Sequence, residues 1–128
     1  MAKAEIVFVA SPLRADIPDV SEEVMAENQA FARDFCRKLW KKTGEIPIAP
    51  HLYFPQFYDD RIDDEREAGI IGGQAMLTHI CKKLYVVGPL ISEGMQYEID
   101  LAQKLEIPII YVESPDEFFT EKNGVGSE

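Results

Sequence analysis

Ile6-Val7-Phe8-Val9-Ala10, followed at once by Ser11-Pro12, is the stretch on which the fold turns. A strand with one wet face alternates apolar and polar residues. An unbroken apolar run rich in β-branched residues reads instead as a strand buried on both faces, the mark of a parallel sheet covered by helices. Pro12 ends the run because it cannot donate to a strand ladder.

Working outward, similar runs recur. Ile46 to Ala49 is a short second strand closed by Pro50, Leu84 to Val87 a third closed by Gly88-Pro89, and Pro108 to Val112 a fourth. Helical spacing fills the gaps. Ser21, with Val20 before it as a staple, reads as an N-cap, and Val24, Phe31, Phe35 and Leu39 recur up to Lys42, where Gly44 supplies the stop. Asp63 or Asp64 caps a helix carrying Ile70, Gly73, Leu77 and Ile80 on one face. Gly72-Gly73 inside it costs about 1 kcal/mol per residue against alanine, which points to a close backbone contact. Ser92 caps a helix from Glu93 to about Lys104. Residues 113–128 turn acidic and polar and are expected to be a variable tail, frayed from Asn123 to Glu128.

Strand, helix, strand, helix, strand, helix, strand is the pattern of right-handed crossovers. The expected architecture is α/β: one domain over residues 1–128, a three-layer sandwich around a mainly parallel sheet of four or five strands in the order 2-1-3-4, flavodoxin- or Rossmann-like. With 128 residues and 46% hydrophobic content the chain buries a core without staples. Cys36 and Cys81 form no spacing pattern and read as reduced thiols. Formal net charge is -10, from 23 acidic and 13 basic residues, with only isolated pairs at Lys41-Lys42 and Lys82-Lys83. That balance repels nucleic-acid polymers and anionic membranes but not a single nucleotide. The longest apolar stretch, Ile6 to Ala10, is too short to span a bilayer, Met1 to Glu5 opens no leader pattern, and the cytoplasm is the expected location.

In such a sheet, ligands bind beyond the carboxyl ends of the strands where the winding reverses, here between strands 1 and 3. Two loops border that point, Ser11 to Asp16 and Gly88 to Gly94. On the helix from Glu93, Met95, Ile99, Leu101, Ala102 and Leu105 form the apolar face, and Glu98 falls between Met95 and Leu101 near its middle. A carboxylate there loses solvation. It is either a snorkelling or salt-bridged glutamate at a helix edge or an acid held at the mouth of the crevice. Ser92 and Gly94 open the same helix, as an ordinary cap or as a seat for a phosphate or sugar hydroxyl. Ser11 and Arg14 offer a hydroxyl and a guanidinium on the opposite wall, unless Arg14 pairs with Asp16 or Asp19. In the loop His51 to Tyr58, Tyr53 and Phe54 either stack a base or pack into core or a subunit interface. Asp59, Asp60, Asp63 and Asp64 either hold Mg²⁺ or supply an acid, or form a solvated capping cluster. No spacing fits a resident metal site, and no cofactor is expected.

Ser92-Glu93-Gly94-Met95-Gln96-Tyr97-Glu98-Ile99 resembles the segment of the nucleoside 2-deoxyribosyltransferase superfamily that carries its catalytic glutamate. Ala10-Ser11-Pro12-Leu13-Arg14 is similar to that family's sugar- or phosphate-binding loop. Small phage- or Firmicute-encoded members look closer still, through Phe8-Val9-Ala10-Ser11-Pro12, Ala49-Pro50-His51-Leu52-Tyr53-Phe54-Pro55 and Ile91-Ser92-Glu93-Gly94-Met95. The resemblance implies N-glycosidic chemistry. Glu98 would attack the anomeric carbon of a (deoxy)ribosyl group, and water or a second base would resolve the glycosyl-enzyme. Ser11, Ser92 and Arg14 would hold the sugar or its phosphate, and Tyr53 and Phe54 would shape the base pocket. It also implies a homo-oligomer. This chain departs from the family in having Lys82-Lys83 before the third strand and Gly88-Pro89 after it, where an acid is common. The acid for the leaving base is then unassigned, with Asp59 and Asp60 the candidates. Three functions stand at this point: an enzyme acting on a nucleoside or nucleotide, a binding or sensing protein for such a molecule, and a scaffold that kept only the fold.

Overall fold

A computed structural model of the chain describes residues 4–13 and 21–120. Four strands, β1 (Ile6–Ala10), β2 (Ile46–Ile48), β3 (Leu84–Val87) and β4 (Ile109–Val112), form one sheet in the order β2-β1-β3-β4. Every pairing is parallel, with Ile6 opposite Ile46, Phe8 opposite Leu84, and Leu84 opposite Ile109. The order and the parallel sense are those expected. The strands are four, and β2 and β4 are each one residue shorter than the apolar runs, because Ala49 precedes a helix and Pro108 lacks the N–H a ladder needs.

Helices cover both faces, giving the three-layer, flavodoxin- or Rossmann-like fold. Alternation along β1 divides the core. Phe8 and Ala10 point to one side, with Leu77, Leu84, Val86, Met95, Ile99 and Ala102. Val7 and Val9 point to the other, with Phe35, Leu39, Tyr85, Val87 and Val112. The first side is roofed by α3 (Asp63–Ile80) and α4 (Glu93–Lys104), the second by α1 (Glu22–Thr43). Crossovers that run outward from β1 in opposite directions thus place their helices on opposite faces, as a uniform handedness requires.

Helix ends follow local chemistry. The Ser21 hydroxyl accepts from Val24 N at 3.1 Å, and Gly44 closes α1 in the left-handed conformation at φ 78°. Val20 lies outside the described residues, so the staple does too. The cap of α3 differs from expectation: Ile62 holds the N-cap position, and Asp63, Asp64 and Glu65 fill the first turn, where they favour the helix dipole without a side-chain cap. The buried stripe of α1 is Ala32, Phe35 and Leu39, while Phe31 is 40% exposed.

Part of the stretch expected to be a variable tail, residues 113–128, is helical. Pro115–Thr120 is a helix, α5, and Phe119 and Phe118 pack at a tilt against Phe35 with ring centroids 5.2 and 6.2 Å away. Lys42 Nζ lies 5.3 Å from the centre of the Phe118 ring. The acidic residues Glu113, Asp116 and Glu117 mask this packing in the composition. Residues 121–128, including Asn123 to Glu128, lie outside the described residues. Among the described residues, no helix is long and apolar enough to cross a membrane. Cys36 and Cys81 are both free thiols.

Candidate active site: a cleft at the switch point

The carboxyl ends of β1 and β3 open into a cleft that encloses about 720 Å³ of empty space, part of it open to solvent. Four parts of the chain build it, among them α3 with Arg66, Gly69 and Ile70. The end of β1 supplies Ser11, the start of α4 supplies Ser92, Gly94, Met95 and Glu98, and the segment after β2 closes the far side with Pro50, His51, Phe54 and Tyr58. The last segment, read from sequence as an aromatic loop, is a short helix, α2 (Pro50–Tyr53), running into a 3-10 turn over Phe54–Gln56.

Glu98 sits on the inner face of α4, as its helical position predicts. Its side chain keeps partial exposure toward the cleft, yet no described residue hydrogen-bonds to it or pairs with it. A methyl group placed on Gly73 would lie 3.7 Å from Glu98 Oε2 and 3.5 Å from Pro50 Cγ, so α3 and α2 press closely on the carboxyl. Burial with no compensating charge pushes its pKa up from 4.5 to about 8. Among the described residues the carboxyl has no ion-pair partner, and it faces the cleft.

The Gly72-Gly73 pair has the close contact its helix penalty implied. A methyl group on Gly72 would come within 2.5 Å of Phe54 Cζ, so the Phe54 ring rests directly on the α3 backbone. Tyr58 stacks on Phe54 at 5.8 Å between centroids and an interplanar angle of 20°. Phe54, Tyr58, Pro50 and Ile70 give the cleft its apolar wall.

At the end of β1, Ser11 Oγ and His51 Nε2 share a hydrogen bond of 2.7 Å. Burial lowers the His51 pKa from 6.5 to about 4, so the imidazole is neutral at physiological pH. At α4, Ser92 Oγ accepts from Met95 N at 3.3 Å and so serves as the helix cap. Charges stand at the rim: Arg66 Nε lies 3.7 Å from Asp60 Oδ2, and Glu65 Oε1 accepts the Asp59 backbone N–H at 2.7 Å.

Of the residues expected at the site, Glu98, Ser11, Ser92, Gly94, Phe54 and Asp60 line the cleft together. Tyr53 and Asp59 do not. Tyr53 is 52% exposed and packs edge-on against Phe54 and Phe57. Asp59 turns outward, where the Arg61 guanidinium at 3.1 Å holds it below the usual carboxylate range, in a polar groove shared with Glu22. Arg14 lies outside the described residues. His51 and Arg66 are cleft residues that the sequence reading left out of the site. His51 directly follows Pro50 at the end of β2, which is the signal that could have placed it. Arg66 stands one turn before Ile70 on the face of α3 that meets the cleft. Among the described residues no group of three or more His, Cys, Asp or Glu side chains could hold a metal ion.

Fold and cleft define a class, the open parallel α/β proteins with a ligand-sized crevice at the point where the sheet reverses its winding. Within it, the chain belongs to the family described as a domain of unknown function (DUF7768), whose model matches residues 5–112. No curated protein matches the chain. The matched span takes in all four strands and the cleft, and leaves α5 outside.

Proposed function

We propose that the chain is an enzyme that hydrolyses or transfers at the N-glycosidic bond of a (deoxy)nucleoside or nucleotide, with Glu98 as nucleophile. One observation carries the reading. A desolvated carboxyl, unpartnered among the described residues, lies in a cleft between an aromatic wall and hydroxyl-bearing residues. Such an acid is costly to keep folded and is useful where charge develops in a reaction. The resemblance to nucleoside 2-deoxyribosyltransferases through Ser92 to Ile99 supports the same assignment.

In this mechanism the sugar lies toward Ser11 and Ser92, and the base lies against Phe54 and Tyr58. Positive charge building at the anomeric carbon favours the ionised form of Glu98. The ionised Glu98 oxygen bonds to the anomeric carbon as the C–N bond breaks, and the departing base takes its proton from water. Water or a second base then displaces Glu98 and regenerates it. Asp60, the sequence candidate for the leaving-base acid that lines the cleft, faces Arg66 at 3.7 Å. That pairing also supports the alternative, a protein that binds or senses a nucleotide derivative without turnover. A homo-oligomer in the cytoplasm completes the proposal, acting on a small molecule, as net charge -10 favours over any polymer.

Incubation with a panel of nucleosides and nucleotides, followed by chromatography for free base, tests the assignment. Base release is expected, with a rate that rises with pH toward about 8 as Glu98 ionises. Glu98→Ala is expected to lower it by about a thousandfold or more. Full turnover in that variant refutes the nucleophile assignment, and binding without base release in the native protein favours the sensor.

A further inference from the structure

Ser11 directly follows β1, and His51 is the second residue of α2, 40 positions later, yet Ser11 Oγ lies 2.7 Å from His51 Nε2. Both side chains line the cleft, beside the apolar wall of Pro50, Phe54 and Tyr58. The amino end of α4 opens on the same space at Ser92 and Gly94. From this arrangement we infer a further activity: Ser11 is a nucleophile and His51 its base, and together they hydrolyse small carboxylic esters by way of an acyl-serine. The inference does not rest on the N-glycosidic reading, which puts its bond-making on Glu98.

A serine hydroxyl is a weak nucleophile until a neighbour takes its proton, and a separation of about 2.6–3.2 Å is the reach of such a pair. An imidazole accepts a proton only when neutral. Burial lowers the His51 pKa from 6.5 to about 4, which keeps the ring in that form at physiological pH. The base is also held in place. Its own carbonyl accepts from Gln29 Nε2 of α1 at 3.3 Å. Pro50 before it is buried against α3, where a Cβ added to Gly73 would stand 3.5 Å from Pro50 Cγ. A base fixed against its nucleophile has its ordering cost met before the reaction begins.

In the first step Ser11 Oγ bonds to the carbonyl carbon of the ester as its proton passes to His51 Nε2. The adduct collapses, the bond to the alcohol oxygen breaks, and the alcohol leaves with the proton from His51. Water then attacks the acyl-serine and gives one proton to His51. The carboxylic acid departs as that proton returns to Ser11 Oγ, so the sum is ester plus water to acid plus alcohol. Pro12 follows Ser11 and has no N–H to offer the carbonyl oxygen, which gains negative charge in each addition. The first turn of α4 is suited to that oxygen, because a helix amino end favours negative charge. Among the described residues nothing lies within 4 Å of where a Cβ on Gly94 would stand, so the backbone there is open to a ligand.

The full chain is incubated with p-nitrophenyl acetate, with nitrophenol release followed, and separately with a fluorophosphonate probe, with the labelled peptide located by mass spectrometry. Release above the buffer rate and a label on Ser11 are expected, since such probes bond to a serine whose proton a base removes. Ser11→Ala should lose the label and lower the release by about a hundredfold or more. His51→Leu should lower it as far. His51→Gln is the sharper variant: an amide still hydrogen-bonds to Ser11 but takes no proton, so it should fall with His51→Leu. A merely structural role for His51 would leave His51→Gln active. Near-UV circular dichroism checks folding, and the label site in the native chain carries the test if a variant does not fold. No label on Ser11, or no release above the buffer rate, overturns the inference. So does release that persists in Ser11→Ala or in a folded His51→Gln. Base release from nucleosides without esterase activity refutes this inference alone. Ester hydrolysis through a labelled Ser11 without base release refutes the glycosidic reading alone. Absence of both activities overturns both.

Discussion

Two acidic side chains sit at opposite ends of the sheet, and their surroundings differ completely. Glu45, just before β2 at the amino ends of the strands, is 7% exposed. Burial alone would raise its pKa, but Lys83 Nζ on one oxygen and Tyr85 OH at 2.6 Å on the other, with Thr43 beside them, hold it below 4.5. The same contact raises the Tyr85 phenol, whose own burial is the larger cause. Glu98, at the carboxyl ends, has the burial and, among the described residues, none of the partners, and rises to about 8. Placed in one sheet by one chain, a partnered acid serves structure, whereas an unpartnered one facing a cavity is a cost that structure alone does not explain.

The comparison can be broken at either end, and Glu45 gives the larger effect. Glu45→Ala strands the Lys83 ammonium and the buried Tyr85 hydroxyl, and should lower stability by about 2–4 kcal/mol. Lys83 is one-third exposed, which places the effect below that of a fully buried pair. Because the Glu45 pKa is depressed, its contribution is present above pH 4.5 and is lost as pH falls below it. Urea unfolding at neutral and acid pH measures this, and an unchanged midpoint at neutral pH contradicts the structural role.

Glu98 should respond with the opposite sign and a smaller size. Its pKa is raised in the folded state, so the folded chain holds the proton that the unfolded chain releases. Stability therefore falls as pH rises from about 4.5 to about 8. Glu98→Gln removes that penalty, and should stabilise the protein by about 1–3 kcal/mol at pH 7 and scarcely at pH 4. The same urea titrations read it. A destabilised Glu98→Gln at pH 7 means that the carboxylate has a favourable partner, and the contrast with Glu45 fails.

How far each end was legible in the sequence follows from the same physics. Local signals carried far: β1 and β3 are apolar runs bounded by Ser11-Pro12 and Gly88-Pro89, and helical periodicity alone put Glu98 on the inner face of α4. The glycine pair in α3 announced a close contact, and Phe54 is what fills it. What failed was non-local. Glu45 looked like any acid before a strand, since Lys83 and Tyr85 lie 38 and 40 residues away in the chain. The Ser11–His51 bond spans 40 residues, so His51 passed as one ring in an aromatic stretch. Asp59 and Asp60 are adjacent and chemically identical, and only the turn before α3 sends one outward to Arg61 and the other to the cleft. Phe118 and Phe119 were hidden by acidic neighbours, because composition does not register two rings finding Phe35 across the sheet's flank.

An NMR titration of the glutamate side-chain carboxyl carbons, assigned by loss of one signal in Glu98→Gln, tests the central claim most directly. Glu98 should titrate near pH 8, far from the other glutamates. A Glu98 midpoint near 4.5 would mean that the acid is solvated or paired, and would remove the physical basis for placing chemistry in this cleft.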